Sequence, residues 1–243
     1  NDNLISLTTR WLDAQYVIAN FSKIDNPTTF IKNVTGNNLS IYPAVATLPN
    51  GTLFLVYNKY NITGCTTGCS QNLVYKTSVD NGQTWSSELL ITNNYNGSFL
   101  EELAEPDIKV APNGDIHIVF HGYIKSQQQF IYHVTNSNGS WVTKRVSGIG
   151  RDNVYPRLAI TSDNKAHVVW IGDKDGSILG GDQSIFYSKF DGSNWSPRIN
   201  LYNDATNDPG WQNPKIISDN LNLHITFFAD DGNPRHMKHI MYD

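Results

Sequence analysis

The sequence predicts an all-β protein, a β-propeller of four-stranded antiparallel blades. Three observations carry that expectation: a polar fraction made of turn formers, a high aromatic content, and a repeat of roughly fifty residues. Charged residues are only 16% of the 243-residue chain, so its polarity comes mainly from Asn, Ser, Thr and Gly. Asn and Ser side chains compete with the backbone for hydrogen bonds, which weakens helices and favours turns. Aromatics reach 12%, and their rings fit a pleated, half-buried surface.

The repeat shows first in four hairpins. Residues 42–51 lead into 52–57, 105–114 into 115–120, 155–164 into 165–170, and 213–220 into 221–227. Each is a short apolar run opened by Xaa-Pro, a turn of Pro, Ser, Asn, Asp or Gly, then a β-branched and aromatic run. The proline is expected at each strand's first residue, where a missing N–H is tolerated. A third strand follows at 72–77, 129–134, 184–189 and 236–242. A polar turn comes next, closed by Trp85, Trp141 and Trp195, and then a fourth strand at 88–91, 142–146 and 197–201. Four antiparallel strands per repeat is the arithmetic of propeller blades. One such sheet buries too little by itself, so neighbours must cover one another.

Before the first hairpin, residues 16–30 line up with the third strand and following turn of the next repeat, with Phe30 where Trp85 stands. Residues 31–35 then read as a fourth strand and 3–9 as one more. About eighteen strands divide best into five blades, with four or six as alternatives. Residues 1–243 are thus expected to form one propeller domain, with a partial blade over 1–41 and repeats starting near 42, 105, 155 and 213. The first and last blades are incomplete. An incomplete blade leaves an open edge that recruits strands from other chains, so self-assembly through open blade edges is one expectation.

The turn before the first tryptophan follows Ser-X-Asp-X-Gly-X-X-Trp through Ser78, Asp80, Gly82 and Trp85. The carboxylate satisfies backbone donors across the turn, the glycine takes an open φ, and the indole packs under the hairpin. Residues 136–141, ending in Trp141, are a shortened copy, and 190–195 keep Asp191 and Trp195 with one residue fewer. This pattern resembles the Asp-box, or bacterial neuraminidase repeat, of the sialidase-like propellers, and the resemblance covers nearly the whole chain. It implies a scaffold shared by sialidases, other glycosidases, lectins and surface proteins, not a reaction. Sialidases use three arginines on the substrate carboxylate, a Tyr nucleophile assisted by Glu, and an Asp acid/base. The arginines here are Arg10, Arg145, Arg151, Arg157, Arg198 and Arg235. Arg145 and Arg198 fall in outer strands, leaving Arg157, with Arg151 or Arg235, within reach of the axis. The early Arg-Ile-Pro motif is absent, and no sialidase centre is expected.

Function must come from side chains near the axis. Tyr42, Glu105, Tyr155 and Asn213 precede the proline of each repeat, and Ala44, Asp107, Arg157 and Lys215 follow it. These columns change chemistry while the rest of the repeat holds constant. Tyr42, Glu105, Asp107, Tyr155, Arg157 and Lys215 are therefore the candidate ligand-binding residues, suited to a sugar by stacking and hydrogen bonding. The competing reading is structural, with Asp107 paired to Arg157 or Lys215 across the channel. Glu101, Glu102, Glu105 and Asp107 also offer paired carboxylates for glycoside cleavage, against which stands a solvated acidic loop. His117, His167 and His224 share a column with Phe54, which points to packing rather than metal binding. No catalytic residue, metal or cofactor is assigned.

Cys65 and Cys69, separated by Thr-Thr-Gly, fit a small disulfide loop, since no second Cys or His pair follows at ligand spacing. Asn-X-Ser/Thr sequons stand at Asn20, Asn33, Asn38, Asn50, Asn61, Asn96, Asn138 and Asn194. Together they predict an extracellular or cell-surface protein. A net charge of −4 lacks the basic excess of a nucleic-acid binder, and no apolar run is long enough for a membrane span. The expected role is a non-catalytic, glycan-binding or surface-architecture propeller whose partner is a carbohydrate or a surface glycoprotein. The alternatives are a glycoside hydrolase and a structural subunit assembled by strand sharing.

Overall fold

A computed structural model describes residues 32–36, 40–60, 71–92, 103–124, 128–137, 139–148, 152–173, 183–203, 213–229 and 236–242. All regular structure among them is antiparallel β. Sheet I is β1 (Ser40–Thr47), β2 (Leu53–Tyr60), β3 (Gln71–Ser78) and β4 (Leu89–Leu90). Sheet II is β5 (Leu103–Val110), β6 (Ile116–Ile124), β7 (Gln128–Thr135) and β8 (Val142–Arg145). Sheet III is β9 (Val154–Ile160), β10 (Ala166–Asp173), β11 (Gln183–Phe190) and β12 (Ile199–Asn203). Sheet IV is β13 (Lys215–Asp219), β14 (Asn222–Ala229) and β15 (His236–Tyr242). Each sheet is a simple meander in chain order. The four repeats read from sequence fall on these sheets. The strand expected over 31–35 does not form within 32–36. There the Asn33 carboxamide accepts from the amides of Thr35 and Gly36, which favours a turn.

The first strands β1, β5, β9 and β13 lie each against the next, so they form the inner side of the array. In the first three the prolines are not at the strand starts, while Pro214 stands just before β13. Pro43, Pro106 and Pro156 sit inside β1, β5 and β9, each in a bulge where two residues face one on the partner strand. A bulge leaves a residue outside the ladder, so a proline is tolerated there. The single residues opposite are Tyr57, Phe120 and Trp170, none more than 2% exposed. In sheet IV, Phe227, 3% exposed, is the residue after Thr226, which pairs with Lys215 at the start of β13.

Successive residues of the second strands serve opposite interfaces, as pleating requires. Phe54 and Val56 of sheet I meet Ile116, Ile118 and Phe120 of sheet II. Val119 and Ile131, on the other face of sheet II, meet Val168, Trp170 and Phe186 of sheet III. Val169, Ile171 and Ile185 then meet Leu223, Ile225 and Phe227 of sheet IV. The core is thus a series of sandwiched interfaces. Gly172 lies at one of them, where an added Cβ would stand 2.8 Å from Asn153 Oδ1 and 2.9 Å from the Phe186 ring. Both neighbours are buried and held in place. Gly172→Ala is expected to destabilise the fold by about 1–3 kcal/mol, read as a lower urea midpoint at unchanged slope.

The turn 78–85 is built on two side chains. Asp80 Oδ1 accepts from the Ser78 hydroxyl and the Thr84 amide, each at 2.8 Å, and Oδ2 accepts from the Thr84 hydroxyl at 2.6 Å. Ser78 Oγ in turn accepts from the Gly82 amide at 2.8 Å. The Thr84 hydroxyl, Thr84 amide and Ser78 hydroxyl together hold the Asp80 pKa down at about 2. Asp191 accepts from the amides of Ser193 and Asn194, both at 2.7 Å, and its pKa is lowered by those amides. The tryptophans that close these turns pack on Leu55, Tyr57 and Val74 (Trp85), on Phe54 and Tyr75 (Trp141), and on His133 and Phe190 (Trp195). Because the folded pKa of Asp80 lies below the unfolded one, its stabilisation is complete above about pH 4 and is lost as pH falls toward about 2. Asp80→Asn is expected to reduce that acid-side slope in a thermal-melt series across this range.

Candidate functional site

The inner strands carry a repeated backbone strain. Tyr42, Glu105, Tyr155 and Asn213, each the residue before a proline, have φ of 52°, 54°, 53° and 36°. A residue before proline normally prefers an extended conformation, and positive φ in a bulky residue is costly. Recurrence in all four sheets makes it a built feature, and such strain gathers at binding sites. The bulge turns these side chains out of the regular alternation and places them at the inner rim.

Glu105, Asp107, Arg157 and Lys215 come together there. Burial raises the Glu105 pKa, against the opposing pull of the Arg157 and Lys215 charges. Glu105 Oε2 is buried and makes no hydrogen bond. Burial lowers the Lys215 pKa, and so does the Arg157 cation, while Asp107 and Glu105 oppose the shift. Arg157 Nη1 donates to the carbonyl of Pro156 at 2.7 Å, which leans the guanidinium along the rim. Asp107 is tied differently from either pairing expected across the channel. Its Oδ1 pairs with Lys109 on the same strand at 3.1 Å, and its Oδ2 accepts from the Leu158 amide at 2.8 Å. Among the described residues, Asp107 makes no ion pair with Arg157 or Lys215. The carboxylate already had a backbone donor and a lysine on its own strand within reach, so the more distant cations stay available.

His121 joins this cluster and was not anticipated. It stands opposite Ala104, beside Glu105, with its ring edge-on to Tyr155 at 6.3 Å. Burial and the Arg157 charge hold its pKa at about 4, so it is neutral at physiological pH. The available signal was its place one residue past the repeat's aromatic, where Asn58, Ile171 and Phe228 also differ in chemistry. In sheet I, Tyr42 stands at the column of Glu105 and Tyr155 and is 37% exposed.

The remaining candidates lie elsewhere. Arg145 stacks over Phe130 at 4.8 Å and Arg198 over Phe186 at 4.3 Å, both on the outer side. His117 stacks on His133, His167 on Tyr187 and His224 on His239, all between strands two and three. Asn33, Asn50 and Asn194 are exposed in turns or loops. Glu101, Glu102, Arg10, Arg151, Arg235, Cys65, Cys69, Asn20, Asn38, Asn61, Asn96 and Asn138 lie outside the described residues. Among the described residues no helix is long and apolar enough to cross a membrane.

No family model matches the chain, and no curated protein sequence does. Solved structures do. The Hadza microbial sialidase Hz136 superposes with a TM-score of 0.59 at 12% identity, over 83% of this chain and 44% of that one. The chain has a β-propeller-like fold. A thermostable family-43 glycoside hydrolase gives 0.55 at 12% identity, over 88% of this chain and 72% of that one. The family-43 endo-arabinanase of Bacillus licheniformis gives 0.50 at 17% identity, over 86% and 73%. The propeller-like chain described here spans less than half the length of the sialidase.

Proposed function

We propose that this chain is a secreted or cell-surface Asp-box propeller that binds an acidic carbohydrate at its inner rim without cleaving it. The observation that carries this reading is the cluster of Arg157, Lys215, Glu105, His121 and Tyr155 on strained, bulged strands. Two cations that repel each other and lack an ion pair among the described residues suit a carboxylate or sulfate. Tyr155 and Tyr42 add aromatic faces for sugar rings. The sialidase and the family-43 hydrolases act on glycans, which supports a carbohydrate ligand on this fold. Calorimetric titration with acidic and neutral oligosaccharides tests the reading. Binding that falls away in Arg157→Ala is expected, and no binding across a broad panel would remove it.

A glycoside hydrolase is the second reading, and the raised pKa of Glu105 favours it. A carboxyl whose pKa is raised by burial holds its proton to higher pH, which suits a general acid. Two free carboxyls are needed, however, and Asp107 is held by Lys109 and the Leu158 amide. Glu105→Gln separates the readings. The binding account expects acidic-sugar affinity at neutral pH to be kept or improved, because a negative charge beside Arg157 and Lys215 is removed. The hydrolase account expects loss of aryl-glycoside turnover. Glu105→Gln is also expected to raise stability at about pH 7 and not below about pH 4. A carboxyl whose folded pKa is raised destabilises the fold only where the unfolded chain would ionise it.

A further inference from the structure

We infer that Glu105 is the residue that selects the ligand of the inner rim. It binds as the neutral acid and donates its hydroxyl to a sugar carboxylate, so the rim prefers a uronate to a sulfate ester and takes up a proton from solvent on binding. This rests on the acidic-carbohydrate reading of the same rim, and no bond of the sugar breaks. Glu105 stands in the bulge of β5 at φ 54°, and its Oε2 is buried without a hydrogen bond. An ionised carboxylate shares its charge between both oxygens, and a buried oxygen that no donor reaches is a costly place for it. The neutral acid needs one acceptor for its hydroxyl instead. Arg157, Lys215 and Lys109 have only donors to give. Asp107 already accepts from Lys109 and from the Leu158 amide. A ligand anion held by Arg157 and Lys215 brings the acceptor to Glu105. A carboxylate oxygen is far more basic than a sulfate ester oxygen, so it takes the stronger hydrogen bond from an acid.

The charged and titratable groups on the strands around Glu105 point the same way. On its own strand, Lys109 pairs with Asp107. From β6, burial and the Arg157 charge keep His121 neutral above about pH 4, and His117 lies opposite Lys109, toward the far end of the strand. β9 brings Tyr155 and Arg157, and β13 brings Lys215, with Asp219 at its other end. β1 brings Tyr42 and no charge. Further out in sheet I, Lys59 of β2 is held by Glu88, and Lys76 of β3 by the Val34 carbonyl. Burial raises the Glu105 pKa, against the pull of Arg157 and Lys215. A carboxylate laid on those two cations offsets that pull and adds a like charge, so the pKa rises further. Affinity therefore rises as pH falls from the bound to the free pKa of Glu105, and levels off below. Burial and Arg157 also loosen the Lys215 proton, and the affinity lost with it belongs to the alkaline side and persists without Glu105.

Calorimetric titration of the full chain with trigalacturonate, in two buffers of different ionisation enthalpy, counts the protons exchanged on binding. Between about pH 5 and about pH 7 the uptake is expected to reach roughly half a proton or more, with affinity rising by up to about tenfold per unit fall in pH. Glu105→Gln is expected to remove both the uptake and the slope, since its amide donates at every pH. A trisaccharide of galactose sulfate is expected to bind the wild-type protein at least about tenfold more weakly than trigalacturonate at about pH 5. Uronate binding without proton uptake, equal slopes in wild type and Glu105→Gln, or equal or tighter binding of the sulfate would overturn this inference and leave the acidic-sugar reading standing. Binding of neither anion would overturn both.

Discussion

Arg157→Ala is expected to weaken an acidic oligosaccharide by about 10- to 150-fold and a neutral one of equal length far less. That span corresponds to one charge-assisted hydrogen bond to an anion, worth about 1.5–3 kcal/mol. Arg157 is the right residue to remove because its guanidinium reaches Glu105, His121 and Lys215 electrostatically. Its guanidinium donates to the carbonyl of its neighbour Pro156, so truncation strands no side-chain hydrogen-bond partner. Arg157→Lys keeps the charge and loses the planar fork, and an intermediate loss is expected. Titration calorimetry on the three proteins checks this. An equal loss for neutral and acidic sugars would assign the residue a packing role instead.

Trp170→Ala is expected to have the largest effect on stability, a loss of about 3–5 kcal/mol. The indole is fully buried opposite the bulge at Tyr155 and Pro156. Its Nε1 donates to Asn153 Oδ1 at 2.9 Å, and Asn153 Nδ2 donates onward to the Gln129 carbonyl of sheet II at 3.0 Å. The ring also stacks on Phe186 at 5.8 Å. Truncation therefore opens a cavity and removes a donor from a buried amide that ties two sheets together. Trp170→Phe keeps most of the volume and loses the donor, for which about 1–3 kcal/mol is expected. Urea midpoints at constant slope would read both values. Because the same residue holds the Tyr155 bulge, the alanine variant should also lose affinity for the acidic sugar.

The strands were legible because pleating writes itself into sequence with a period of two, and four copies reinforce one another. The hairpin turns were legible for a similar reason: Gly51, Gly114, Asn164 and Asn220 supply positive φ at one repeated position. The bulges were not. A proline suggests a strand's first residue, and nothing local reveals that the residue before it is left-handed. That conformation goes with a bulge opposite a buried aromatic on the neighbouring strand, which is a tertiary feature. The columns around each proline were readable as variable positions, yet the pairing of Asp107 was not, because Lys109 and the Leu158 amide compete for it in three dimensions. His121 is not legible in the sequence because its column, shared with Asn58, Ile171 and Phe228, repeats no residue. The turn at 33–36 was misread as a strand because Asn33 satisfies the backbone locally.

The most direct measurement is a crystal structure of the protein with a bound uronate- or sulfate-bearing oligosaccharide. The account expects the anionic group on Arg157 and Lys215, with a sugar ring against Tyr155 and next to the Glu105 carboxyl. An oligosaccharide bound only on the outer strands, away from β5, β9 and β13, would contradict it.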